Sequence, residues 1–166
     1  MRGRHGTGAG STDDAQPLSI DQPRPVPDFF RLAVDIAWAL DDWHRRVGPH
    51  TALSPHTIRV DRSGAVQLMP ATGPADPDFA APEQTGRLER GADERSDLYS
   101  LGALYYRLLT GQPPFQAGTP AQWRRCHLTQ APAPLATVAP GVPPSLGEII
   151  HLLPGCGPVL RPSGRG

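Results

Sequence analysis

The stretch at residues 96–110, SDLYSLGALYYRLLT, constrains this chain most. Only Asp97 and Arg107 carry charge in it, and apolar side chains fall on nearly every helical face. A helix that is apolar all round has no face to give to water. It must therefore lie at the centre, with other elements packed around it. Gly111 and the Pro113–Pro114 pair that follow supply the stop.

What packs around it follows from periodicity. Phe29, Leu32, Ala33, Ile36, Ala37 and Leu40 recur at helical spacing and predict an amphipathic helix. Asp28 is the candidate N-cap, and the end falls near Arg46, before Gly48 and Pro49. Ile58 and Val60 alternate with Arg59, and Val66 and Leu68 with Gln67, across the turn-forming Asp61-Arg62-Ser63-Gly64. This predicts a small β-hairpin. Residues 70–77 hold three prolines and a glycine and read as a loop. Thr119 is placed to cap a short helix over 120–127, residues 131–144 are Pro-rich and irregular, and a last helix is predicted over 145–153. The expected fold is mainly α with one small hairpin.

Composition narrows the chemistry. All sixteen basic residues of the 166 are Arg, against sixteen acidic ones; there is no Lys and no Asn. Lysine-based phosphate binding, Schiff bases and Lys general bases are therefore excluded. Zero formal net charge gives no support to nucleic-acid or membrane steering. Cys126 and Cys156 match no metal-site spacing. No apolar run approaches a membrane span, and the basic start MRGRH is followed by no apolar stretch, so neither a membrane segment nor a signal peptide is expected, and a cytoplasmic location is. Residues 1–27 hold little to bury and are expected to form a disordered tail.

The string AAPEQTGRLERGADERSDLYSLGALYYRLLTGQPPF resembles the centre of a protein kinase C-lobe. Ala81-Pro82-Glu83 matches the motif that closes the activation segment. Asp97 and Gly102 match the start of the central helix, and Arg161 matches the arginine that pairs with the motif's glutamate. The wording is most similar to bacterial Ser/Thr kinase-like domains, which also stand at the front of multidomain sensor histidine kinases. The resemblance spans about residues 28–163, with 164–166 as a tail, and it implies a C-lobe without an N-lobe, since 1–27 show no strand pattern.

It also implies which chemistry should be present, and here the chain departs from the family. The frame of the catalytic loop is kept by His50, Pro55 and Ile58. Ala52 stands where the family has its catalytic Asp, Ser54 where it has a Lys, and Thr57 where an Asn holds magnesium. Pro70 stands where the metal-binding Asp-Phe-Gly begins. Asp61, Asp76 and Asp78 are near in sequence, but none has the spacing to substitute. Phosphoryl transfer depends on positioning and on neutralising phosphate charge, so ATP and magnesium, expected for the family, are not expected here.

The remaining residues of interest have structural readings. The resemblance implies that His50 packs against the central helix, that Asp97 caps it and accepts from the catalytic-loop backbone, and that Glu83 and Arg161 form a buried ion pair. His44, His50 and His56 recur every six residues, which suits no helical metal site, and no metal is expected. Trp123, Arg124 and Arg125 are the candidate protein interface. The expected function is an inactive, truncated kinase-like module that binds a protein partner or once worked with a missing N-lobe or sensor domains. The alternatives are a Ser/Thr kinase and a non-functional gene fragment.

Overall fold

The computed structural model describes residues 15–85 and 91–152. Helix α2 (Glu94–Thr110) is its axis: twelve of its seventeen residues are buried. Helix α1 (Val26–Arg46) lays Phe29, Leu32, Ala33, Ile36 and Leu40 against it. Ala37, counted in that stripe from spacing alone, is exposed. The two helices are locked by Tyr105, whose ring meets Phe29 edge-on at 5.4 Å and whose hydroxyl donates to the Ala33 carbonyl at 2.6 Å. Burial pushes the Tyr105 phenol far above its ordinary range, so it stays a donor.

Strands β2 (Ile58–Val60) and β3 (Val66–Leu68) form the expected hairpin, with Ile58 opposite Leu68 and Val60 opposite Val66. The sheet has a third strand, β1 (Gln16–Pro17), paired antiparallel to β2 with Gln16 opposite Val60. This corrects the expected tail: from residue 15 onward the segment is built into the fold. Leu18 is buried and its N–H donates to Ile58 O at 3.0 Å, and Arg24 N–H donates to Leu108 O at 2.7 Å. Pro17 has no N–H, which a strand at a sheet edge tolerates. Residues 1–14 lie outside the described residues.

The caps also differ from expectation. Helix α1 starts at Val26, so Asp28 sits inside its first turn, and Pro25 takes the N-cap without a side-chain bond. Helix α2 starts two residues before the predicted stretch, with Asp93 as N-cap; Asp93 accepts from Arg95 N–H at 2.8 Å, and Ser96 Oγ accepts from Asp93 N–H at 3.2 Å. Helix α3 (Pro120–Thr129) is capped by Thr119, which accepts from Gln122 N–H. The Pro-rich stretch contains one short helix, α4 (Leu135–Val138), that seats Leu135 in the core. Helix α5 (Pro144–Leu152) closes the core with Leu146 and Ile150. Among the described residues, no helix is long and apolar enough to cross a membrane.

Candidate functional site

The loop between α1 and β2 carries the positions where kinase chemistry would reside, and Asp97 organises it. Asp97 is fully buried in the first turn of α2. Its carboxylate accepts three bonds: from His50 N–H at 2.7 Å, Thr51 N–H at 2.7 Å and the His44 ring at 2.8 Å. Asp97 is therefore not the helix cap, which is Asp93. It turns away from its own helix and holds the loop.

His50 is buried too. Its Nε2 lies 2.9 Å from the Met69 carbonyl, which can only accept, so the ring proton is on Nε2. Nδ1 then accepts from Ala52 N–H at 3.4 Å, and the ring packs on Trp43. Through this one side chain the loop is tied to the end of β3. Thr51 has φ +62°, a left-handed backbone that a β-branched residue rarely adopts. It is held there from both sides, by Asp97 on its N–H and by the Gln84 amide on its carbonyl.

At the chemistry-bearing positions the structure places a methyl group, the hydroxyls of Ser54 and Thr57, and a proline ring. Ala52 is 7% exposed and Ser54 is also buried. Thr57 Oγ1 accepts from Ser54 N–H at 3.1 Å and lies within donating distance of the Ala52 and Ser54 carbonyls. Its oxygen is spent on closing the Pro55–Thr57 3-10 turn. Pro70 is exposed at the end of β3. The family uses carboxylate, ammonium and amide groups at these four positions to place a magnesium–nucleotide pair, and a methyl group, two hydroxyls and a proline ring offer none of them, so they do not fit it. The nearby carboxylates have local work. Asp61 Oδ1 accepts from Ser63 N–H, Ser63 Oγ and Ala65 N–H in the β2–β3 turn, which holds its carboxyl below the ordinary value. Asp76 accepts from Asp78 N–H at 3.0 Å in the following loop, and His56 stands 3.9 Å from it. Burial, helped by the Asp76 charge, pushes the Asp78 carboxyl up, with Arg107 opposing. Among the described residues, no three His, Cys, Asp or Glu side chains group as metal ligands.

Glu83 lies in the 3-10 turn Pro82–Thr85 and accepts from the buried Ser96 hydroxyl at 2.5 Å. Arg161 lies outside the described residues, so the expected Glu83–Arg161 pair does too. Gly102 is buried in mid-α2. The candidate interface separates: Trp123 is 9% exposed and packs with Phe115 and Cys126, so it is not a surface anchor, whereas Arg125 is exposed. The sequence reading missed His44, Gln84 and Ser96. His44 had a usable signal, since it follows the buried Leu40 by four residues and so shares its inner face.

No family model matches the chain. Curated relatives do. The serine/threonine-protein kinase Pkn1 of Myxococcus xanthus is 42% identical over 159 residues, covering 82% of this chain and 23% of the relative. The serine/threonine-protein kinase PksC of Streptomyces coelicolor is 27% identical over 143 residues, 76% of this chain and 25% of the relative. The hybrid signal transduction histidine kinase G of Dictyostelium discoideum is 39% identical over 75 residues, 45% of this chain and 2% of the relative. The chain thus forms a protein kinase-like domain. Its similarity runs to bacterial serine/threonine kinases over most of its length, and it spans about a quarter of theirs.

Proposed function

We propose that this chain is a catalytically inactive kinase-like module, corresponding to the helical C-terminal lobe, that acts by binding a protein partner. The observation that carries this reading is the buried Ala52 in a loop that is otherwise fully ordered by Asp97 and His50. The scaffold that aims a catalytic base is retained, and the base is absent. Ser54, Thr57 and Pro70 remove the phosphate and metal partners as well, and no Lys or Asn exists elsewhere in the chain to replace them. Catalysis of phosphoryl transfer is almost entirely positioning and charge neutralisation, so a site lacking the charged groups has no means of accelerating it.

The test is radiolabelled phosphate transfer from magnesium-ATP to a panel of Ser/Thr peptides by the purified chain. The expected result is no transfer above a protein-free blank. Ala52→Asp is expected to stay at the blank, because a base alone does not neutralise phosphate charge. Transfer by either protein would overturn the reading.

A further inference from the structure

Charge is unevenly spread along this chain. No Asp or Glu occurs between Asp97 and Glu148, while Arg107, Arg124, Arg125 and His127 fall within that stretch. Helix α3 lies in its middle. An open groove of about 590 Å³ runs along α3 and the loop before it. Arg125 and the amides of Gln116, Gln122 and Gln130 line it, all exposed. The guanidinium of Arg125 has no acidic partner among the described residues. Gln122 Oε1 accepts from Gly118 N–H at 2.9 Å, which fixes that side chain and leaves its NH₂ for a ligand. Beneath, buried Cys126 packs with Phe115 and Trp123 and forms the floor.

We propose that this groove docks an acidic, extended peptide of a partner protein, with a Glu or Asp carboxylate on Arg125 and the peptide backbone bridged by the glutamine amides. The proposal rests on the binding-module reading and names the partner's chemistry. A guanidinium pairs with a carboxylate through two parallel N–H donors. A primary amide offers one acceptor and two donors, which matches the alternating groups of an extended backbone. A nucleic acid fits less well, since it would need several cations along a phosphate track and exposed aromatic rings for its bases. The groove shows one described cation, and its tryptophan is buried.

Fluorescence anisotropy with a labelled peptide of alternating Glu and Ala tests this on the full chain. Saturable, salt-weakened binding is expected, reduced about tenfold by Arg125→Glu and unchanged by Arg31→Glu on the exposed face of α1. Arg125→Gln removes the charge without reversing it; it is expected to give a smaller loss and serves if the reversal does not fold. Absence of saturable binding, equal losses from Arg31→Glu and Arg125→Glu, or a DNA duplex that displaces the peptide more effectively than unlabelled peptide would each overturn the proposal. The phosphotransfer assay run on the same protein keeps the two readings apart. Transfer with peptide binding intact would sink the inactive reading and spare the groove, and no transfer with no peptide binding would do the reverse.

Discussion

Asp97 concentrates more of the loop's order than any other side chain described. Replacing it with Ala would strand the His50 and Thr51 N–H groups, and the left-handed Thr51 would lose one of its two restraints. Leaving buried donors unpaired costs more than a hydrogen bond contributes. Asp97→Ala is therefore expected to lower stability by about 3 kcal/mol in urea unfolding. A change below experimental error would remove Asp97 from its organising role. Asp78 behaves oppositely. Its folded carboxyl titrates above 3.8, so its ionised form is disfavoured in the native state at neutral pH. The native state regains that loss as pH falls through the raised value. Asp78→Asn is accordingly expected to raise Tm slightly at neutral pH, with the advantage shrinking as pH falls and gone below 3.8. An advantage that grows on acidification would contradict this. At this scale the sequence was legible where a local signal exists, as with Thr119, which caps α3. It was opaque where a residue acts through a distant backbone group: nothing local marks Gln84 as the donor to the Thr51 carbonyl, a partner 33 positions away.

Elements with a strong period were readable, and the short ones were not. The inner stripe of α1 and the all-round apolar α2 announce themselves because burial selects the residues at each turn. Strand β1 has two residues, one of them proline, so no alternation exists to read. Its place is set by tertiary contacts, chiefly buried Leu18 and the Arg24–Leu108 backbone bond. The same approach fixes how α2 ends. Gly111 has φ +72° in the left-handed region, and a Cβ there would stand 3.0 Å from the Pro23 ring. Gly111→Ala is expected to cost about 2 kcal/mol, from the backbone conformation and the clash together. Thermal unfolding of the variant measures it, and an unchanged midpoint would mean that residues 21–25 do not pack on the α2 terminus.

At the scale of the molecule, an apolar stripe on α1 is exposed among the described residues. Phe30, Val34 and Trp38 recur every four residues along the outer face of α1, and Trp38 is 64% exposed. Exposed apolar stripes of this kind favour association. Concentration-dependent self-association is expected in sedimentation velocity, relieved by Val34→Glu with Trp38→Glu; a monodisperse native chain at high concentration would contradict it.

On the proposed reading, kinase-like scaffolding persists here without nucleotide chemistry. The most direct measurement is thermal unfolding of the purified chain with and without magnesium-ATP. A ligand that binds only the native state must raise the midpoint by mass action, by about 2.7 kcal/mol of stability when present at a hundred times its Kd. A cooperative transition whose midpoint does not move at millimolar nucleotide is expected. A clear upward shift would mean that the chain binds nucleotide despite Ala52, Thr57 and Pro70, and would contradict the proposed loss of nucleotide chemistry.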